Sequence, residues 1–170
     1  RLRRMVDDHI DFVARVLRNA GTPLTEIDDE VQRTFITAAR RIDDVRVGSE
    51  RGFLLQTALH QAAHARRTAA RRREVLVGEV PEVQGYVATP EDLSDQRRAR
   101  KLLDEVLGEM HVDLRAVFIA YEFEELTMIE IAEALGLPQG TVASRLRRAR
   151  AEFQERVRDL EGKLSREKRP

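Results

Sequence analysis

The sequence predicts an all-α protein of two small helical domains joined by a linker, with a helix-turn-helix in the second domain. Three observations support this fold class. Apolar residues recur at spacings of three and four along most of the chain, and no segment shows the alternation of a strand. A stretch rich in Gly, Pro and acidic residues interrupts this pattern near the middle. Near the carboxyl end, a short turn with Gly and Pro separates two helical segments.

Composition restricts the class of protein. The 170 residues suffice for one ordinary domain or two small ones. No apolar run approaches the roughly 18–20 residues of a membrane span, and acidic residues interrupt the start where a signal peptide would be apolar. The absence of cysteine excludes disulfides and thiolate metal sites. We expect a cytoplasmic protein without membrane contact. Because the chain starts at Arg1, we also expect that a few amino-terminal residues precede it.

The net charge is zero, but the charges are separated along the chain. Two blocks contain arginine and no acid: Arg66, Arg67, Arg71, Arg72 and Arg73 form the first, and Arg145, Arg147, Arg148 and Arg150 form the second. Between them, residues 74–96 contain six acids and no base. Separated charges create local fields that a net count hides. For any single run of charged residues taken alone, the alternative interpretation is a solvated helical face whose charges form ion pairs.

Three helices are predicted in the first domain, residues 1–73. The first covers about residues 4–18 and is ended by an Asn-Ala-Gly-Thr-Pro run. The second starts at Thr25 or Asp28 and extends to Ile42. After loop 43–49, the third covers about residues 50–72 and carries its apolar residues in its first half. The inward stripes of the first two helices are predicted to be Val6, Ile10, Val13 and Leu17, and Ile27, Val31, Phe35 and Ala38.

Residues 74–95 are predicted to be an acidic linker, because their first part has Gly and Pro without periodicity. Thr89 and Pro90, followed by two acids, are typical of a helix start. The fourth helix should extend to about Met110, and the fifth should cover about residues 113–122. The second domain is predicted to span residues 96–165, with a tail at 166–170.

Residues 127–151 show the pattern of two helices joined by a tight turn. Thr127 is a suitable N-cap, and Glu130 three positions later completes a capping box. Gly136 can adopt the left-handed conformation that ends a helix, and Pro138 is tolerated where the next helix begins. Three further residues fit the packing of such a corner: Ala132, Leu137 and Val142.

The second helix of this pair has two different faces. At about 100° per residue, one stripe is apolar and predicted to be buried: Val142, Leu146, Ala149 and Phe153. Gly140 and a set of hydroxyl and guanidinium groups occupy the opposite face and its flanks, and these groups suit base edges and phosphates in a major groove that admits one helix. We predict DNA contacts by Thr141, Ser144, Arg145, Arg147 and Arg148. A corner packed on another protein is the alternative.

Residues 113–153 resemble region four of the extracytoplasmic-function (ECF) RNA polymerase sigma factors, through the segments LRAVF, EFEELTMIEIAEALGLP and GTVASRLRRAR. In that family, region four reads the upstream (−35) promoter element. Two departures stand out. Ala143 occupies a position where the family usually has Lys, which removes one phosphate contact. Residues 110–113 replace a turn that usually contains Leu-Pro.

Residues 28–35 are similar to a region-two signature of the same family, acidic-Val-Gln-x-x-Phe, which docks on a clamp helix of the polymerase large subunit. Glu30 replaces a usual Leu. The resemblance implies polymerase contact through Asp28, Asp29, Val31, Gln32 and Phe35. Among these, the three polar residues can project outward while Val31 and Phe35 pack inward.

The third predicted helix is similar to the helix of region two that faces the downstream (−10) element. The resemblance implies downstream DNA contacts by Phe53, His60, His64, Arg66 and Arg67. Phe53 stands where Trp is usual, and His60 and His64 stand where Asn and Asp are usual. Loop 43–49 would capture a flipped base. Because the chain has few aromatic residues to hold unstacked bases, its melting power should be modest and its promoter choice narrow.

The resemblance spans nearly the whole chain and implies a sigma factor that directs core polymerase to promoters. No catalysis and no cofactor are expected, and an anti-sigma partner is implied. The acidic linker could lie in a basic polymerase channel. Two other functions remain open: a stand-alone helix-turn-helix regulator, which would usually dimerise, and a helical adaptor without a DNA role. His60 and His64 have the spacing of a helical zinc site, but Gln61 replaces the catalytic Glu and no third ligand is evident, so no metal is expected.

Overall fold

The computed structural model describes residues 1–75 and 91–167, and every regular element in these ranges is helical, which confirms the predicted fold class. The helices are α1 (Leu2–Asn19), α2 (Ile27–Arg40), α3 (Glu50–Val75), α4 (Glu91–Glu109), α5 (Val112–Phe118), α6 (Met128–Leu135) and α7 (Gln139–Glu167). A 3-10 turn, Leu24–Glu26, precedes α2, and a π-helical segment, Ile119–Phe123, continues α5. Among the helices of these ranges, none has an apolar stretch long enough to cross a membrane.

The predicted linker falls mostly on residues 76–90, which lie outside the described residues. Of the remainder, Glu74 and Val75 end α3, and residues 91–95 form the first turn of α4. The predicted tail begins inside α7, which extends to Glu167, and residues 168–170 also lie outside the described part.

Helices α1, α2 and α3 pack against one another and form the amino-terminal bundle. Val13, Leu17 and Ala38 are fully buried at its centre, as predicted. The predicted position of Ile10 on the buried stripe is wrong, because its side chain is 43 % exposed. The buried face of α1 is centred on Phe12 and Val16 instead, and Ile10 lies at the edge of a groove between α1 and α2.

Helices α4 to α7 form the carboxy-terminal bundle. Phe118 of α5 stacks on Phe153 of α7 with ring centroids 4.8 Å apart, and Leu107 and Ala149 complete this cluster. The residues that replace the family's Leu-Pro turn still provide a helix cap, because Nδ1 of His111 accepts a hydrogen bond from the backbone N–H of Asp113 at 3.3 Å. Helix α5 therefore begins one residue earlier than predicted.

The predicted fifth helix does not continue as an α-helix to residue 122. After Phe118 it widens into the π-helical segment, where the backbone N–H of Glu124 bonds to the carbonyl of Ile119 at 3.1 Å. Glu125 then takes a positive φ of 54°. A π-helical turn contains one more residue than an α-helical turn, so it rotates the side chains that follow it. Here Glu124 is turned towards α1 and away from solvent.

The two bundles are packed directly on each other and share one apolar core. Leu54, Leu55 and Val13 of the amino-terminal bundle belong to the same buried cluster as Leu126 and Ile131 of the carboxy-terminal bundle. The closest pairing of elements across the boundary is α3 with α6. No pattern in the sequence predicted this arrangement, which decides the surroundings of both candidate DNA-binding surfaces.

Candidate nucleic-acid interface

The corner between α6 and α7 has the local geometry that the sequence predicts. Oγ1 of Thr127 accepts a hydrogen bond from the backbone N–H of Glu130 at 3.2 Å, and Oε2 of Glu130 accepts one from the backbone N–H of Thr127 at 2.7 Å. The backbone N–H of Thr127 and its hydroxyl, which donates to the same carboxylate oxygen at 2.8 Å, stabilise the carboxylate and lower the pKa of Glu130 from its ordinary value. Gly136 ends α6 with φ 63° and ψ 36°, in the left-handed region.

The turn after Gly136 is short and fixed by backbone bonds. The N–H of Leu137 bonds to the carbonyl of Ala132 at 2.9 Å, and the N–H of Val142 bonds to the carbonyl of Pro138 at 3.1 Å. Ala132 is buried where the two helices meet, and Val142 is fully buried. The helix-turn-helix pattern is therefore present in three dimensions, with α7 as its second helix.

The predicted division of α7 into an apolar and an outward face is confirmed. Val142, Leu146 and Ala149 are each at most 2 % exposed, and Phe153 is half-buried. Arg147 and Arg148 lie on the opposite face and are exposed. Among the described side chains, no carboxylate lies within 4.0 Å of either guanidinium. Their charges are therefore available to a polyanion.

Three polar residues at the flank of this face are more constrained. Thr141, Ser144 and Arg145 are half-buried. The hydroxyl of Ser144 donates to the carbonyl of Thr141 at 3.0 Å, and Nη2 of Arg145 lies 3.5 Å from Oδ2 of Asp113. Asp113 therefore partly neutralises Arg145, a pairing that the sequence pattern did not reveal.

Arg150, the last arginine of the second basic block, is engaged within the protein. Its Nε donates to Oε1 of Glu122 at 2.6 Å, which raises the pKa of the Arg150 guanidinium. The same guanidinium lies 5.2 Å from the centre of the Tyr121 ring. The block is thus divided: two arginines face solvent, and two pair with acids of α5 and the π-helical segment.

Four of the five predicted downstream residues share one face of α3. At about 100° per residue, Phe53, His60, His64 and Arg67 lie within a narrow sector, whereas Arg66 lies about 140° from Phe53. Both histidines and Arg67 are exposed. Arg66 instead borders a cleft against α5, and its burial lowers the pKa of its guanidinium. Helical arithmetic applied to the sequence would have separated Arg66 from the other four.

Phe53, the replacement for the usual Trp, is half-buried at the start of this face. The guanidinium of Arg41 lies 5.6 Å from the centre of its ring. One face of the phenyl ring is therefore covered by a cation.

Loop 43–49 is held in place by residues at both ends. Arg1 donates from its guanidinium to the carbonyl of Ile42 at 2.8 Å and to the carbonyl of Val45. Oε2 of Glu50 accepts from the backbone N–H of Gly48 at 2.6 Å, where φ is 88°. Val47 at the tip is 86 % exposed. A cavity of about 470 Å³ lies between this loop, the start of α3 and helix α6.

The predicted polymerase-binding residues have the expected orientations. Asp28, Asp29 and Gln32 are exposed, and Val31 and Phe35 are each 9 % exposed. A groove of about 710 Å³ between α1 and α2 lies beside them. It is largely apolar: its lining includes Leu2, Val6, Ile10, Phe35 and Ile36. The exposed side chains of Ile10 and Ile36 were not predicted: helical periodicity placed Ile10 in the core, and Ile36 was assigned no role.

Glu30, the replacement for a usual Leu, is almost completely buried at 1 % exposure. One carboxylate oxygen contacts Nη1 of Arg33, and among the described residues the other oxygen has no hydrogen-bond partner. A cavity of about 280 Å³ between α2 and α3 adjoins it, with His64 and Arg72 in its lining. The substitution therefore places a carboxylate where an aliphatic side chain would fill space.

Comparison with known proteins identifies relatives that match most of the chain and a family that matches part of its carboxy-terminal bundle. Residues 100–153 match the family described as Sigma-70, region 4. The RNA polymerase sigma factor NccH of Alcaligenes xylosoxydans xylosoxydans is 30 % identical over 155 residues, which cover 88 % of this chain and 83 % of NccH. The ECF RNA polymerase sigma factor SigE of Mycolicibacterium smegmatis is 27 % identical over 152 residues, 89 % of this chain, and the match spans only 59 % of SigE.

A solved structure has the same fold. The sigma factor RpoE, in its co-crystal structure with the anti-sigma factor NepR from Bartonella quintana, superposes with a TM-score of 0.67 at 19 % identity. The superposition covers 92 % of this chain and 96 % of RpoE. The likeness therefore extends over both helical bundles.

Proposed function

The chain belongs to the ECF RNA polymerase sigma factors, the proteins that direct the polymerase to promoters, and from this premise we propose that it binds core polymerase and contacts promoter DNA through both helical bundles. The observation that carries the proposal is the outward face of α7, where Arg147 and Arg148 are exposed above a fully buried apolar stripe. No catalytic step by the chain itself is part of this function, and its place of action is the cytoplasm, where polymerase and chromosome meet.

Upstream DNA is read by α7 lying in the major groove. Arg147 and Arg148 supply phosphate or guanine contacts, and Thr141 and Ser144 supply short hydroxyl groups near base edges. Arg145 contributes once it leaves Asp113, a separation of a half-exposed ion pair that costs little in water.

Downstream DNA contacts the exposed face of α3 formed by Phe53, His60, His64 and Arg67. Histidine and arginine planes can stack on unpaired bases, and Arg67 can neutralise a phosphate. Arg66 is the least suited of the predicted contacts, because it faces α5. Loop 43–49, fixed at both ends, supplies the cavity for a flipped base.

Core polymerase docks on the groove between α1 and α2. Ile10 and Ile36 present apolar surface, each 43 % exposed, beside the acidic residues Asp28 and Asp29. An apolar centre with a charged rim is the usual composition of a protein interface. An anti-sigma protein, the partner of RpoE in its co-crystal structure, is proposed as the second ligand of this chain.

Run-off transcription with purified core polymerase on genomic fragments tests the function. We expect transcripts from a limited set of fragments, and none from core alone. The double variant Arg147→Ala/Arg148→Ala should lose these transcripts, while Arg158→Ala/Lys163→Ala, which removes two exposed charges further along α7, should retain them. A wild-type chain that binds DNA but is not retained by core polymerase would contradict the proposal and support a stand-alone regulator.

A further inference from the structure

Arg115 of α5 is a buried cation without a counter-ion among the described side chains. It is 1 % exposed and lines the cleft between α3 and α5 that Arg66 also borders. Nη1 of Arg115 donates to the carbonyl of Leu107, in the last turn of α4, at 2.9 Å. Nη2 is buried and has no hydrogen-bond partner among the described residues. The Leu107 bond caps a helix end, but it leaves the charge of the guanidinium unmatched.

A buried guanidinium needs a partner because arginine does not lose its proton inside a protein. Removing a charge from water is costly, and polar atoms buried in folded proteins are nearly always hydrogen-bonded. A ligand that satisfies Arg115 therefore has to supply both negative charge and acceptor oxygens.

Arg66 of α3 brings a second guanidinium to the same cleft. It is half-buried, and this burial lowers the pKa of its guanidinium. A Cβ atom added at Gly21 would lie 3.2 Å from Nη1 of Arg115 and 3.6 Å from Nε of Arg66. These two nitrogens are therefore at most about 7 Å apart, a distance at which two like charges repel each other. The absence of a side chain at Gly21 allows both guanidinium groups to approach this point.

The cleft between α3 and α5 has a volume of about 270 Å³. Its lining combines aliphatic side chains with the neutral hydrogen-bonding groups of Gln56 and His60. This volume is below the roughly 300–1,000 Å³ of pockets that bind drug-sized molecules. A second cavity, of about 520 Å³, shares Arg66 with the first and adds Arg67 to its lining. The first cavity therefore suits a small polar group, and the second leaves room for a larger remainder.

The charges around the two cavities favour an anion. Arg66, Arg67 and Arg115 belong to their linings, and the only acid among the lining residues is Asp113. Asp113 is exposed, and its Oδ2 lies 3.5 Å from Nη2 of Arg145, which partly neutralises it. Cationic groups therefore outnumber anionic ones, and the local field attracts negative charge into the cleft.

We propose that the cleft between α3 and α5 binds the terminal phosphate of a small free anion through the guanidinium groups of Arg66 and Arg115. Planar guanidinium groups match phosphate oxygens, and two bonds of about 2.8 Å to the oxygens of one phosphate can span the separation between the two arginines. A phosphate within a DNA strand is flanked by two sugars, so it enters a small cleft less easily than a terminal phosphate does. Arg66 thus has a role different from the downstream DNA contact that the family resemblance implies.

Calorimetric titration of the free chain with pyrophosphate tests the site. Pyrophosphate has two terminal phosphates and neither sugar nor base, so it probes recognition of the charged group alone. We expect saturable binding of one pyrophosphate per chain. We also expect a higher midpoint of thermal unfolding in pyrophosphate than in chloride at equal ionic strength.

Two substitutions on α3 locate the bound anion. Arg66→Gln should weaken pyrophosphate binding at least about tenfold, the effect of losing a hydrogen bond between charged groups. Arg71→Gln removes the same charge from an exposed position of the same helix, outside both cavity linings. It should bind pyrophosphate as the wild-type chain does.

Asp113→Asn provides a change in the opposite direction. The substitution removes the one acid from the cavity linings, so pyrophosphate should bind about threefold more tightly, the usual scale of an exposed charge interaction. A gain in affinity cannot arise from loss of the fold. Unchanged or weaker binding by a folded Asp113→Asn chain would contradict an anion in this cleft.

Three other results would overturn the inference. The first is the absence of saturable heat with pyrophosphate, or equal thermal midpoints in pyrophosphate and chloride. The second is unchanged affinity in Arg66→Gln, which would place the anion elsewhere. The third is a chain that ignores pyrophosphate but loses affinity for fluorescent single-stranded 20-mers on Arg66→Gln, which would assign the cleft to the DNA backbone. A chain that bound pyrophosphate but gave no run-off transcript would contradict the proposed function and leave the phosphate site supported.

Discussion

Thr127 and Glu130 form two reciprocal hydrogen bonds. The hydroxyl oxygen of Thr127 accepts from the backbone N–H of Glu130, and the carboxylate of Glu130 accepts from the backbone N–H of Thr127. This reciprocal cap fixes the start of α6, the first helix of the helix-turn-helix. The stability of the helix-turn-helix should depend on it, and it involves only residues close in sequence.

Thr127→Ala should lower the free energy of unfolding by about 1 kcal/mol at neutral pH, the usual effect of losing a helix N-cap. Urea denaturation measures this difference. Ser165→Ala removes an exposed hydroxyl that bonds within α7 and should change stability much less. If the two substitutions lowered the free energy of unfolding equally, the Thr127 cap would contribute no more stability than the exposed hydroxyl of Ser165.

The stabilisation from Glu130 should disappear in acid. The pKa of Glu130 is lower in the folded chain than the ordinary 4.5, so the folded state binds fewer protons at this site than the unfolded state does. Its contribution is therefore complete above about pH 4.5 and is lost as pH falls through the folded-state value. The stability difference between wild type and Glu130→Gln, measured in urea at pH 7 and at successively lower pH, should shrink over that window. A difference that is independent of pH would contradict this.

Arg148→Ala and Arg150→Ala should have different effects on DNA binding, although the two residues are only two positions apart. Arg148 is exposed, whereas Arg150 is bonded to Glu122 and stacked near Tyr121. Fluorescence anisotropy with a promoter duplex should show weaker binding for Arg148→Ala, and its log-log salt slope should fall by about 0.9 if one phosphate contact is lost. Arg150→Ala should retain the wild-type slope. An equal reduction of the slope in both variants would show that Arg150 also contacts phosphate, which requires the Arg150–Glu122 pair to open on DNA. A wild-type slope for Arg148→Ala would contradict its phosphate contact.

Ile36→Asp should weaken binding to core polymerase at least about tenfold, the effect of losing one buried aliphatic side chain from an interface. Its 43 % exposure means that the fold itself should tolerate the change. Ile129→Asp on α6, where the isoleucine is 55 % exposed, is the matched control and should bind core normally. Biolayer interferometry with immobilised core measures both; similar affinities would remove the groove from the proposed interface.

Glu30→Leu should raise the free energy of unfolding by about 1 kcal/mol or more, because it replaces a buried, incompletely bonded carboxylate with an apolar side chain. Arg33, its partner, is 56 % exposed and remains hydrated. Glu133→Leu, at an exposed position, should have little effect on stability. Loss of stability in Glu30→Leu, seen as a lower urea midpoint, would show that the carboxylate is needed for packing of α2 on α3.

Local features were accessible from the sequence because they depend on residues a few positions apart. The capping pair, the left-handed Gly136 and the apolar stripe of α7 were all predicted and are present. The inward Val31 and Phe35 and the outward Asp28 follow from the same short-range periodicity. The same local reasoning misplaced Ile10. Helical periodicity identifies the apolar side of α1, but it does not show which part of that side a neighbouring helix covers.

By itself, the sequence determined the helices, the corner and the arginine face, because backbone hydrogen bonding and helical periodicity act over one or two turns. Only the tertiary structure decided which arginines are engaged and which surfaces the bundles cover. Arg15 and Glu124 are 109 positions apart, and their contact depends on the packing of α3 on α6 and on the widened turn after α5. Long-range pairing of this kind arises from shape and burial across the whole molecule, so no local pattern encodes it.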